Sequence, residues 1–286
     1  MKTFYSFLAA IILVFITSCN TPRYIYSTTS QNLPSLKKKG DFQVDGFYST
    51  NGDNATYSDS VRYSHGADFN AAVAITNHWA ITGMLGYRWE KEAYSENYLI
   101  GGTLQSISSV KYKRLNWEIG GGYYTSIHRQ NRVFLQLFGG VGAGQYEMRE
   151  RGELYDYSTV PPGTVAVNRY HENNVFRFYL HPAIHFHFNR YFKMAVAAKF
   201  LNVRYSDIKT DYLVPELESY RLTPLEGKTF SFFEPCVDLK FNIPNAEWVA
   251  PHIQFSVSTP LSNYDTRKFN ASFGISFRMP DRQSIE

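Results

Sequence analysis

Cysteine is scarce: Cys19 and Cys236 are the two in 286 residues, so a disulfide framework is not what holds this chain together. Neither sign of charge dominates. Lys and Arg number 29 against 25 Asp and Glu, a net charge of +4, which points to no nucleic-acid partner. Beyond Ser18 there is no uninterrupted apolar run of the roughly 18 residues that a spanning helix needs, which excludes a helical membrane protein. What the chain does have is aromatic surface. Aromatic residues make up 17%, led by 22 Tyr and 22 Phe, against 19% charged residues. A disordered polar chain does not look like this, and so much apolar area has to be buried or coated with lipid.

Met1 to Ser18 opens with Lys2, continues through an apolar core from Phe7 to Phe15 and ends in small polar residues, which reads as an export signal. Ile16-Thr17-Ser18-Cys19 resembles the lipobox of bacterial lipoproteins. The resemblance implies cleavage ahead of Cys19 and a diacylglyceryl group, with fatty acids such as palmitate, on its sulfur. The next residues, Asn20-Thr21-Pro22-Arg23, lack the acidic run that resembles a Bacteroidota surface-export signal, so the lipid is expected in the periplasmic leaflet. Residues 19–40, ending Lys37-Lys38-Lys39-Gly40, are expected to form a solvated tether whose lysines lie near anionic headgroups.

From Phe42 the hydrophobic period is 2. Over residues 79–90, Trp79, Ile81, Gly83, Leu85, Tyr87 and Trp89 share one face, while Ala80, Thr82, Met84, Gly86, Arg88 and Glu90 share the other. The pattern recurs at 114–123, 133–141, 175–188 and 269–279, and reads alike at 42–49, 66–76, 192–206, 229–243 and 248–259. Slips of phase near 202 and 231 are expected to be bulges. The second face carries Gly, Ser, Ala and mixed charges, unlike the Lys- and Glu-rich exterior of a soluble domain. It suits the wet interior of a barrel whose apolar face meets lipid.

Connections alternate in length. Thr76-Asn77-His78, 127–131, Asn189-Arg190 and 244–247 are tight and rich in turn formers. The stretches 50–63, 91–109, 149–172 and 207–227 are long, and a shorter link follows at 260–266. Ten antiparallel up-and-down strands follow, with short periplasmic turns and long outer loops. Both termini are then expected in the periplasm. Trp79, Phe188, Tyr191 and Trp248 beside the tight turns, and Trp89, Tyr123 and Tyr205 elsewhere, read as aromatic girdles.

With the tether before the first strand and segments such as Ala72-Val73-Ala74-Ile75-Thr76-Asn77-His78-Trp79, the chain resembles the small outer-membrane β-barrel lipoproteins of Bacteroidota. The resemblance implies an outer-membrane address and carries over no active-site residue.

The charges assigned to the lumen are Asp45, Asp68, Arg88, Glu90, Arg114, Glu118, Arg177, Lys199, Arg204, Glu234, Asp238, Lys240 and Arg278. Both signs are nearly balanced, which predicts interlocking ion pairs that plug the bore. His181, His185 and His187 share the inward face, the last two roughly 7 Å apart, a spacing that can chelate a metal, though satisfied lumen histidines are the default. Cys236 is expected to be a small packing residue. The run Gly139-Gly140-Val141-Gly142-Ala143-Gly144 has neither a following helix nor a Gly-Lys-Ser/Thr ending and is no phosphate loop. With Gly120 and Gly122 it is expected to make room for Phe134, Phe138 or Tyr124. At the rim, His65, Asp59, Glu90, His171, Glu172 and Asp207 are the candidates for hydrolytic chemistry, and no spacing among them forms a Ser-His-acid or paired-Asp site. Asp59-Ser60-Val61 matches the short pattern of Bacteroidota O-glycosylation. The sequence thus favours a non-enzymatic surface or accessory protein that needs no cofactor and binds an envelope protein or glycan through its outer loops. A rim hydrolase or a narrow pore is the alternative.

Overall fold

The computed structural model describes residues 23–279, except 53–61, 100–102, 129, 131, 157–162, 224, 247, 263 and 265. Cys19 and Asp59-Ser60-Val61 therefore lie outside the described residues. The ten long strands are β1 (Phe42–Gly52), β2 (Arg62–Ala74), β3 (Trp79–Leu99), β4 (Thr103–Ser126), β5 (Val133–Asp156), β6 (Gly163–His187), β7 (Phe192–Thr210), β8 (Thr229–Phe241), β9 (Val249–Val257) and β10 (Phe269–Arg278). Each pairs antiparallel with its sequence neighbours, and β10 pairs with β1 from Phe269↔Gly52 to Arg278↔Gln43, closing the barrel.

The alternation is that of a barrel in lipid. Phe69, Leu85, Trp117, Ile119, Leu137, Phe176, Phe178, Phe200, Phe273 and Ile275 are exposed, while the intervening Asp68, Arg88, Asn116, Glu118, Gln136, Arg177, Lys199 and Ser272 are buried. Aromatics mark both edges of this belt. Trp79 meets Tyr123 and Trp248 meets Phe277 at the short-turn end, and Tyr48, Tyr63, His65, Tyr87 and Trp89 cluster toward the other. The short turns are locally encoded: Thr76 Oγ1 accepts from the amides of His78 and Trp79 at 3.1 and 2.9 Å, and Asn189 Oδ1 from those of Tyr191 and Phe192 at 2.8 Å.

Three sequence expectations need correction. First, much of 91–109 and 149–172 is not loop. Strands β3 to β6 run 21, 24, 24 and 25 residues, against about 9–11 for a bilayer crossing. Beyond the belt the outward face turns polar, with Lys91 opposite Lys111 and Lys113 opposite Glu147, while the inward face mixes Glu92 and Glu150 with buried Val110, Tyr112, Tyr146 and Met148. The contrast of an apolar outer and a polar inner face thus ends while backbone pairing continues. Second, there are no bulges near 202 and 231, where the β7–β8 register runs unbroken from Phe192↔Phe241 to Arg204↔Thr229. The register shift lies instead between Glu172 and Asn174. The apparent slip is a change of face chemistry: Leu201, Val203, Tyr205, Phe230 and Phe232 point inward and are buried, leaving Arg204 outward and Tyr205 out of the girdle. Third, 207–227 holds a short helix, α1 (Val214–Ser219), begun where Glu216 accepts from the Leu213 amide at 2.7 Å, and it buries Leu222 and Leu225.

Candidate functional site

The inward apolar residues cover part of the chain's own N-terminal segment. Residues 23–31 and 33–36, expected to be a solvated tether, are buried inside the barrel. Tyr24, Ile25 and Tyr26 form a core with Val110, Tyr112, Tyr146, Met148, Val175, Leu201, Val203, Tyr205, Tyr212, Leu222, Leu225, Phe230 and Phe232. A segment rich in Ser, Thr, Gln and Pro reads as a linker because its polarity suits water. It suits a polar lumen equally well.

The segment's backbone is satisfied by side chains of the wall, as an enclosed peptide requires. From the long-connection end downward, Tyr24 O accepts from Arg114 Nη2 at 2.6 Å and Ile25 O from the Tyr205 hydroxyl at 3.0 Å. Thr28 O accepts from Arg88 Nε at 3.2 Å and Asn51 Nδ2 at 2.9 Å. Ser30 N donates to Asp68 at 2.8 Å. Gln31 is held at both backbone atoms, its N–H donating to Gln254 Oε1 at 2.5 Å and its carbonyl accepting from Gln254 Nε2 at 3.0 Å. Leu33 O accepts from Lys240 at 2.9 Å, Pro34 O from Gln136 at 2.5 Å, and Ser35 N donates to Gln43 at 2.9 Å. Tyr26 and Ser27 also pair in parallel with Thr266 and Arg267. At the short-turn end Lys37 and Lys38 donate their amides to Asp41, and Gly40, at φ +87°, turns the chain into β1.

The lumen charges pair with one another and with this segment. Arg88 forms two 2.7 Å bonds with Asp68. Arg114 pairs with Glu90, which also accepts from Ser27 at 2.7 Å. Glu118 lies between Lys199 at 2.7 Å and Arg177 at 3.2 Å. Glu234 accepts from the Tyr26 hydroxyl at 2.9 Å. Lys240 lies 3.5 Å from Asp238 and 3.9 Å from Asp45, and Arg278 donates to Gln43 at 3.2 Å. Arg204 is the exception, outside the lumen. Sequence reasoning missed Arg23, Glu92, Glu150, His252 and Arg267. Arg267 pairs with Glu92 at 2.6 Å, and His252 lies 3.2 Å from Asp238. Arg23 pairs with Glu150 at 2.6 Å, and Glu150 also accepts from the Tyr212 hydroxyl at 2.7 Å. Burial, reinforced by that carboxylate, pushes the Tyr212 phenol well above its ordinary value. Glu92 and Glu150 continue the inward phase of Glu90 and Met148, a signal present in the sequence once the strands are carried past the belt.

His181 and His185 are hydrogen-bonding groups here, at 2.9 Å from Gln31 Oε1 and Gln136 Oε1, and His187 lies against Phe134. Among the described residues no three His, Cys, Asp or Glu gather as a metal site. Cys236 carries no disulfide and packs with Leu33, Ala183, Ala195 and Ala197. Of the predicted glycine contacts, Gly122 faces Phe138, whereas Gly120 and Gly140 make room for the Tyr179 hydroxyl. The rim candidates are scattered. His65 joins the outer aromatic cluster beside Tyr48, Glu90 is bound to Arg114, His171 is buried, Glu172 is half-buried and Asp207 accepts from Asn174 at 2.9 Å. Asp59 is outside the described residues.

Two cavities beside these groups are small, about 20 Å³ near Tyr24 and His171 and about 10 Å³ near Glu118 and His181. The larger space, about 1050 Å³, is the open mouth at the short-turn end, bordered by Lys37, Lys39, Arg190, Trp248 and Arg278.

No protein-family model matches this chain, and no curated protein does. Solved structures similar to it include the β domain of the Bordetella autotransporter BrkA, at 11% identity and TM-score 0.43, covering 84% of this chain and 98% of that one. Others are an outer-membrane channel from Pseudomonas putida F1, at 7% and 0.41, covering 87% and 100%, and the outer-membrane protein OprG from Pseudomonas aeruginosa, at 12% and 0.34, covering 86% and 98%. The barrel assignment rests on this chain's own closed ladder and inverted alternation.

Proposed function

We propose that this protein is a lipid-anchored outer-membrane barrel whose lumen is sealed by its own N-terminal segment. It serves as a non-enzymatic surface or accessory protein that offers its extended long-connection end to an envelope protein or glycan. The exposed apolar belt between aromatic edges supports the membrane address, and the export signal followed by Cys19 supports the anchor. The observation that carries the reading is Gln31, gripped by Gln254 at both its N–H and its carbonyl in mid-lumen. Side chains that bind the segment's backbone along the bore support a sealed lumen, and among the described residues the paired charges form no one-sign ring of the kind an ion filter presents.

Planar-bilayer recording of the full-length purified protein tests the seal. The expected trace is flat, with brief openings appearing when Gln254 is replaced by Ala. Steady ohmic conductance from the unaltered protein would defeat the sealed barrel in favour of the narrow pore.

A further inference from the structure

The direction of the N-terminal segment bears on where an anchor on Cys19 can reside. The strand ends Phe42 and Arg278 share the short-turn end, as a ten-strand barrel requires. The residues before Phe42 do not stay there. They run back through the lumen, past Gln43, Gln136, Gln254, Asp68 and Arg114 in turn, and reach the opposite end at Arg23. There the Arg23 guanidinium binds Glu150 and lies 4.0 Å from the Tyr220 ring centroid. Glu150 stands on the part of β5 that extends beyond the apolar belt.

Resting on the reading of Cys19 as a lipidated residue, we infer that its acyl chains insert in the outer leaflet, so that the protein is a surface lipoprotein whose anchor strand leaves through its own barrel. Reach decides between the leaflets. Three residues separate Cys19 from Arg23, so the two α-carbons lie at most about 14 Å apart when the chain is fully extended. Returning to the periplasmic leaflet would mean crossing a hydrocarbon layer of about 30 Å, and the lumen route is already occupied by residues 24–36. Reaching the outer leaflet means passing over the barrel rim. That rim is uneven: β3 to β6 form a wall of 21 to 25 residues, while β9, β10 and β1 have only 9, 10 and 11. From Arg23 the rim is the nearer route, since the way back spans the full hydrocarbon layer. The periplasmic placement expected from the missing acidic run after Cys19 is the competing outcome.

The test uses the full-length protein in living cells, with Thr21→Cys as the probe. Position 21 follows the lipobox, Cys236 is buried, and acylation blocks the Cys19 thiol. Lys209→Cys reports the long-connection end and Gln130→Cys the short-turn end. A membrane-impermeant maleimide applied to intact cells is expected to label Thr21→Cys as strongly as Lys209→Cys and several-fold above Gln130→Cys. Mass spectrometry of the N-terminal peptide reads the acyl group separately. An acylated chain whose Thr21→Cys labels only after permeabilisation, or only after denaturation, overturns the outer-leaflet placement. An unacylated Cys19 overturns the anchor reading itself, whatever the labelling shows.

Discussion

Arg88 and Asp68 form a forked pair at the centre of the barrel, with Nη1 to Oδ1 and Nη2 to Oδ2 both at 2.7 Å, while the Nε of the same guanidinium donates to Thr28 O in the threaded segment. One side chain thus joins β2, β3 and the segment. The guanidinium crosses the α-carbon of Gly66, where a Cβ would collide with it. Asp68→Ala strands a buried cation and is expected to cost about 3–5 kcal/mol. Gly66→Val should act in the same direction by forcing Arg88 off its partner. Urea unfolding in detergent, followed by loss of the fast-migrating gel species, reads both.

Glu118 holds two cations, Lys199 and Arg177. Glu118→Leu leaves both uncompensated, whereas Glu118→Leu with Lys199→Leu removes a pair and leaves Arg177 with the Tyr26 hydroxyl at 3.1 Å. The double variant should be more stable than Glu118→Leu alone, since deleting a buried pair costs less than breaking it. A double variant at or below the stability of the single one would contradict the pairing.

Gln254→Ala removes two bonds to Gln31 without touching a charge. At about 1–3 kcal/mol of seating energy, the unseated state should become roughly 5–150 times more populated. Hydrogen exchange at the amides of residues 24–35 should accelerate by that factor, while exchange in β4 and β5 stays at the parent rate. Equal acceleration throughout would mean that the segment and the wall open together.

His181 and His185 bond Gln31 and Gln136 through Nε2, and among the described residues no three His, Cys, Asp or Glu gather to complete a metal site around them. Added Zn²⁺ is therefore expected to leave the urea midpoint where it is, whereas a ligand selective for the folded barrel would raise it. A midpoint that climbs with zinc and returns with a chelator would restore the metal reading.

The barrel was legible wherever its two faces differ in chemistry. Trp79 to Glu90 alternate in sequence as they do in burial, because lipid and a charged bore make opposite demands on neighbouring side chains. Legibility failed where that contrast vanishes. Past Lys91 and Arg149 the outward face turns polar, the inward face mixes Glu92 and Glu150 with Val110, and paired strand resembles loop. At Leu201–Tyr205 and Phe230–Phe232 the inward face turns apolar to meet Tyr24 and Tyr26, which imitates a slip of phase and misplaced Arg204. Most of the lumen charges were visible from phase alone. Their partners in residues 23–36 were not, because periodicity within the strands says nothing about a peptide that crosses them.

The seam between β1 and β10 has a consequence for biogenesis. On the proposed reading of Cys19 as a lipidated residue, a peptide enclosed by ten strands cannot be drawn in through a finished ring with its acyl chains attached. It must lie in place before Phe42–Gly52 and Phe269–Arg278 meet. The leader then acts as a mandrel: the sheet curls around a core that was synthesised first, and closure by the last strand locks it in. The same topology makes withdrawal slow, since releasing the leader means parting that seam, and the lifetime of the closed state is set by the barrier to doing so.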